Sequence, residues 1–129
     1  MRLSVLLVED SPDILATIGR FLEAAGFDVM RADNGDEALN ALVAGPRFAL
    51  LVTDYAMPGL NGRDLAIRAR AMFPDLKVLI ITGFPNAETL RELPAGVAVM
   101  VKPFRRAKLI AQLTEWFDIG QPISPTRGD

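Results

Sequence analysis

The sequence predicts an α/β domain built on a doubly wound parallel sheet with helices on both faces. Three observations predict it. Short apolar runs alternate five times with segments of helical periodicity, the pattern of successive βα units. Runs such as Val5-Leu6-Leu7-Val8 and Leu50-Leu51-Val52 are apolar at every position, as strands buried on both faces are. Four of the runs stop abruptly at polar residues: Glu9-Asp10, Asp54, Thr82 and Lys102. The chain of 129 residues is long enough for one domain with a sizeable core and too short for two.

The elements follow in order. Residues 5–8 form the first strand, ending at Glu9-Asp10. Ser11-Pro12 starts a helix, since Ser can cap and Pro suits the first turn. Ile14, Leu15, Ile18, Phe21, Leu22 and Ala25 repeat at helical spacing, and Gly26 ends the helix as a left-handed cap. Residues 28–32 make a more polar strand, expected at an edge. Asn34-Gly35-Asp36 opens a second helix with Ala38, Leu39, Leu42 and Val43 on one face, and Gly45-Pro46 closes it.

The third strand spans 48–53 and is closed by Asp54, after which Met57-Pro58-Gly59 turns the chain. A helix over 62–72 buries Leu65, Ala66, Ala69 and Met72, and Pro74 breaks it. Residues 77–81 form a fourth strand closed by Thr82-Gly83. A weak helix over 86–93 has Leu90 and Leu93 as nearly its only large apolar residues. A fifth strand, 97–101, is closed by Lys102-Pro103, and a last helix, 106–117, carries Leu109, Ile110, Leu113, Trp116 and Phe117. The expected organisation is a domain over 1–117 and a loose tail over 118–129, which has Gly, Pro, Ser and Thr and little to bury.

Composition excludes several classes of function. Net charge is −2, which argues against a nucleic-acid surface. There is no Cys and no His, so thiolate or imidazole metal sites, a Ser-His-Asp triad and a phosphohistidine carried by this chain are out. Phosphoryl chemistry here must use carboxylates, hydroxyls or Lys. No run approaches the roughly 18 apolar residues of a membrane helix, and the acids after the first strand do not make a signal peptide. The expected compartment is the cytoplasm. Met1 lies two residues before the first apolar run, which favours a free-standing protein over a piece of a longer one.

In a parallel sheet the carboxyl ends of all strands point the same way, so residues far apart in sequence can converge at one rim. Glu9, Asp10 and Asp54 brought together repel, which raises carboxylate pKa values unless a cation is present. A hard divalent ion held by carboxylate oxygens resolves the conflict, and Mg²⁺ fits. Lys102 suits a phosphate oxygen and Thr82 offers a hydroxyl donor. Metal, cation, hydroxyl and a carboxylate nucleophile are what phosphoryl transfer to an Asp requires. Taken singly, each residue has a plainer reading: Asp54 a loop carboxylate, Glu9-Asp10 partners of a helix dipole, Thr82 a turn residue, Lys102 a solvated strand end. Their joint occurrence at four strand ends favours a site.

These pieces resemble the receiver domain of bacterial two-component response regulators. The resemblance covers about residues 3–117 and rests on Val8-Glu9-Asp10, Asp54-Tyr55-Ala56-Met57-Pro58-Gly59 with Asn61-Gly62, Ile81-Thr82-Gly83 and Lys102-Pro103-Phe104. It implies a flavodoxin-like (βα)5 fold with strand order 2-1-3-4-5. It implies that Asp54 accepts the phosphoryl group from a histidine kinase or histidine phosphotransfer protein. Asp10, Asp54 and the backbone carbonyl of Ala56 match the Mg²⁺ ligands, and Glu9 matches an outer acid that holds the metal through water. Thr82 matches a switch hydroxyl, Lys102 the contact to the phosphoryl oxygens, and Pro103 a cis proline. A receiver loses its phosphoryl group slowly to water and is not a dedicated enzyme. Output would run through an unnamed partner protein, with the chain a monomer or weak homodimer.

Two positions depart from the family pattern. The family often has Tyr or Phe three residues before the Lys, where this chain has Val99, so the usual coupling of Thr to an aromatic ring is absent or Phe84 or Phe104 serves instead. The Thr82-to-Lys102 interval is also slightly short. The main rival is a degenerate receiver acting as a phosphorylation-independent binding module, although acceptor, acidic pair and Lys are all present. A phosphatase of the haloacid-dehalogenase type would need a second Asp two residues after the first, where this chain has Ala56.

Overall fold

Alternation within each strand decides how the two faces of the sheet are covered. A computed structural model describes residues 2–84 and 93–117. Five strands, β1 (Ser4–Val8), β2 (Asp28–Ala32), β3 (Leu50–Asp54), β4 (Lys77–Thr82) and β5 (Val97–Val101), form one sheet. The order is β2-β1-β3-β4-β5 and every pairing is parallel. Side chains alternate between faces along a strand. Leu6, Val8, Leu51, Val78 and Ile80 therefore share one core, while Val5, Leu7, Leu50, Val52, Leu79 and Ile81 share the other.

The described helices are α1 (Pro12–Ala24), α2 (Gly35–Ala44), α3 (Gly62–Met72) and α4 (Arg106–Trp116). Ile18 and Leu22 of α1 and Leu109 and Leu113 of α4 cover one face. Ala38 and Leu42 of α2 and Leu65, Ala66 and Ala69 of α3 cover the other. The chain thus leaves β1 towards one edge of the sheet and reaches β3 on its other side. That reversal opens a crevice at the carboxyl ends of β1 and β3.

Local signals in the sequence account for most boundaries. Gly26, with φ 102°, takes the left-handed conformation just past α1. The Asn34 side chain accepts from the Glu37 amide at 2.8 Å and caps α2, and Asn61 accepts from the Asp64 amide at 2.8 Å and caps α3. Glu37 Oε1 accepts in return from the Asp33 amide at 2.9 Å.

Several expectations need correction. Ser11 is the N-cap of α1 but makes no side-chain capping bond; a Glu9 carboxylate oxygen takes the Ser11 amide instead. Val43, expected on the apolar face of α2, is 74% exposed, and Met72, expected to be buried, is 38% exposed. Both lie in the last turn of their helices, where the chain leaves the sheet. β3 starts at Leu50, two residues later than expected, and includes Asp54; β4 includes Thr82. The expected helix over 86–93, except Leu93, and the tail over 118–129 lie outside the described residues.

Candidate functional site

The crevice at the carboxyl ends of β1 and β3 holds the acids. Beyond Val8, the last residue of β1, the Glu9 amide continues the ladder by donating to the Ala32 carbonyl at 3.1 Å. This pins Glu9, and its side chain is buried, with the residue only 2% exposed. Asp10, one residue further, is exposed. Asp54 ends β3, paired with Ile81 of β4, and is 7% exposed. Each of the three acids offers one oxygen, and these oxygens lie within 4.8 Å of one another.

Lys102 reaches the same point from the other side of the sheet. Its amide donates to the Thr82 carbonyl at 2.8 Å, which holds the residue against the end of β4. The peptide bond from Lys102 to Pro103 is cis. The Lys102 Nζ lies 3.1 Å from an Asp54 oxygen and 3.3 Å from a Glu9 oxygen, bridging the two buried acids. Glu9 accepts from the Ser11 amide with its other oxygen at 3.1 Å. Thr82 is buried beside this group, and its Oγ1 accepts from the Phe84 amide at 3.2 Å. Ala56 lies exposed in the loop that follows β3.

The charges do not balance. Burial raises the Glu9 carboxyl above its ordinary range, and the neighbouring Asp54 adds to the rise; the Ser11 amide and Lys102 only partly offset it. Burial likewise raises Asp54, with Asp10 adding repulsion, although Lys102 pulls the other way. Burial acts to lower Lys102, but its bonds to Asp54 and Glu9 outweigh that and hold it above its ordinary value. One ammonium thus serves two buried acids and a third close by. Oxygen donors only, clustered and short of positive charge, are a donor set that fits a hard metal cation.

The structure brings together Glu9, Asp10, Asp54 and Lys102, with Thr82 at the adjacent strand end. Sequence reasoning assigned Lys102 to a phosphate oxygen and missed its bridge between Glu9 and Asp54. It also missed the Phe84 amide on the Thr82 hydroxyl. Nothing in the sequence signals the Lys102 bridge, because it joins groups whose approach depends on the sheet register; the Phe84 contact spans two residues, and the turn habit of a Thr hydroxyl could have found it.

Comparison with known proteins agrees with this geometry. The family model for the response regulator receiver domain matches residues 5–114. The chain is 38% identical over 113 residues to the response regulator receiver protein CpdR of Brucella abortus, covering 84% of this chain and 92% of that protein. It is 30% identical over 118 residues to the sensor kinase CckA of the same organism, covering 89% of this chain but 12% of the kinase. A CheY-like receiver domain protein from Methanospirillum hungatei has the same fold, with a TM-score of 0.84 and 28% identity, over 92% of this chain and 95% of that one. With the strand order, the strand-end acids and the match over residues 5–114 in agreement, the chain belongs to the response regulator receiver domain family of two-component systems.

Proposed function

We propose that Asp54 is the residue that takes up the phosphoryl group in this receiver. The observation that carries the reading is the Asp54 carboxylate at the end of β3, with the Lys102 Nζ at 3.1 Å and the oxygens of Glu9 and Asp10 within 4.8 Å. An Asp54 oxygen attacks phosphorus as the bond from phosphorus to the donor nitrogen breaks. The nitrogen keeps the electron pair and takes a proton, and an acyl phosphate remains on Asp54. Lys102 exchanges its carboxylate partner for a phosphoryl oxygen, and Thr82 turns its hydroxyl from the Phe84 amide towards another. Glu9 keeps Lys102 in place during the exchange, through its bond at 3.3 Å.

Asp10 and Asp54, with the Ala56 carbonyl, are the residues that would hold Mg²⁺, and Glu9 would act from the second layer. Bound there, Mg²⁺ supplies charge neutralisation for the phosphoryl oxygens. The donor we infer is a histidine kinase or histidine phosphotransfer protein. A groove of about 560 Å³ beside Lys102, lined in part by Ile14, Ile18 and Phe21 of α1 and by Phe84 and Phe104, is where that partner would bring its phosphohistidine. We place the chain in the cytoplasm, acting as a phosphoacceptor and not as a dedicated enzyme, with a monomer or weak homodimer as the working unit. Among the described residues no helix is long and apolar enough to cross a membrane. The degenerate binding module is not favoured, because acceptor, acids and Lys stand together.

Intact-mass measurement after incubation with acetyl phosphate and Mg²⁺ tests the reading. One phosphoryl group should appear on the wild type and be absent from Asp54→Asn. Equal labelling of both would overturn the assignment.

A further inference from the structure

Among the described residues four polar or charged side chains are buried: Glu9, Asp54, Thr82 and Thr53. The first three have roles in the site. Thr53 has none, yet it is fully buried in the most buried strand of the sheet, paired across the ladder with apolar Val8 and Ile80. Its Oγ1 donates to the Asp54 carbonyl at 2.9 Å. A buried hydroxyl needs a partner, and this one spends its proton on the peptide of the acceptor residue.

The same carbonyl is confined from the opposite direction in sequence. Gly62, the first residue of α3, is packed so closely that a Cβ there would overlap the Asp54 carbonyl oxygen. That Cβ would also sit 2.9 Å from the Tyr55 Cα and 3.0 Å from the Asp54 carbonyl carbon. All three atoms are backbone, so no side chain can swing aside. The Gly62 amide also donates to the Tyr55 carbonyl at 2.8 Å, and the Tyr55 amide donates to the Ile81 carbonyl at 2.7 Å. The start of α3 is therefore bonded to the chain leaving Asp54, which is itself bonded to β4.

We propose that Thr53 and Gly62 are positioning residues for phosphoryl transfer, holding the Asp54 peptide from two sides so that its carboxylate meets Lys102 and the acids. This rests on Asp54 as the phosphoacceptor. Neither residue touches the phosphoryl group; both act through the backbone of Asp54. A misplacement near 1 Å costs up to about 100-fold where in-line geometry is required. A single Cβ wedged between α3 and the end of β3 would force a shift on that scale.

The test is the rate of phosphoryl uptake from acetyl phosphate or phosphoramidate, read by intact mass at saturating donor and Mg²⁺. Thr53→Val, Thr53→Ser and Gly62→Ala are compared with wild type, each at a temperature where urea titration shows it fully folded. Thr53→Val keeps the shape and removes only the hydroxyl, so it remains informative if Gly62→Ala folds poorly. The expected result is a tenfold or greater loss in maximal rate for Gly62→Ala and a loss of several-fold for Thr53→Val. Thr53→Ser should restore most of the rate, because it restores the donor. A merely structural role would lower the urea midpoint and leave the maximal rate of the folded protein unchanged. Thr53→Val and Gly62→Ala both labelling within twofold of wild type would overturn the inference and leave the phosphoacceptor reading standing. A wild type that takes up no phosphoryl group from either donor overturns both.

Discussion

Replacing Asp54 by Asn should stabilise the metal-free fold while abolishing phosphoryl uptake. The main attraction on the carboxylate is to the Lys102 Nζ at 3.1 Å, worth about 5 kcal/mol at an effective dielectric constant near 20, with a smaller contribution from the Tyr55 amide. Against it stand two acids whose oxygens lie within 4.8 Å, each a repulsion of at least about 3.5 kcal/mol on the same scale when ionised. Solvent around exposed Asp10 weakens its share, but burial of Asp54 adds a penalty of the same sign. Asn keeps the shape, and Lys102 stays paired with Glu9 at 3.3 Å. The net gain at neutral pH is on the order of 1–2 kcal/mol, or roughly 3–8 °C in Tm for a domain of this size.

The sign can be tested through pH. The folded Asp54 carboxyl titrates above its ordinary range. Between the ordinary and the raised value the folded wild type binds more protons than the unfolded chain, so its stability falls as pH rises through that window. The advantage of Asp54→Asn is therefore complete above the window and disappears below the ordinary carboxylate range. Magnesium should act in the opposite sense: at ten times its Kd it adds about 1.4 kcal/mol to the wild type, and less to the variant. Thermal melts in EDTA and in Mg²⁺, from acid to neutral pH, measure both effects. A variant no more stable than wild type in EDTA at neutral pH would refute the reasoning, as would an advantage unchanged in acid.

Two further predictions concern other contacts. Lys102→Ala removes the ammonium that bridges Glu9 and Asp54 and should cost the metal-free protein about 1–2 kcal/mol, less than a fully buried pair because Lys102 is partly exposed. Mg²⁺ binding should survive, and calorimetry showing its loss would count against the separation of metal and phosphoryl contacts. Gly19→Ala puts a Cβ where the Arg31 guanidinium rests on α1, but that group is the end of a flexible, partly exposed side chain. It can swing away from Glu23 at little cost, so the helix preference for Ala should leave the variant equal to or up to about 1 kcal/mol more stable than wild type. A urea midpoint well below wild type would show that Arg31 is fixed.

The contrast between Gly19 and Gly62 shows where reading from sequence stops. Both glycines look alike as letters, and Asn61-Gly62 reads as ordinary turn chemistry. One faces a movable guanidinium and the other faces backbone. The cost of a side chain depends on what stands opposite, and pattern along the chain carries no record of that. Val43 and Met72 fail for the same reason: helical spacing gives the face, but not how far along the helix the sheet still covers it.

By itself the sequence determined the five strands, the described helices and the strand-end acids. Those follow from local properties: unbroken apolar runs, helical periodicity, and turn residues with restricted dihedral angles. The strand order and the likeness of Asp54 to a phosphoacceptor came from several short motifs at family spacing, each weak alone. Only the tertiary structure decided that Lys102 bridges Glu9 and Asp54, that the Thr53 hydroxyl is spent on the Asp54 carbonyl, and that Gly62 presses on the same peptide. These are contacts of a few ångströms, two of them, both made by Lys102, between groups dozens of residues apart. They are set by sheet register and by the approach of α3 to β3, and such distances exist only once the chain is packed.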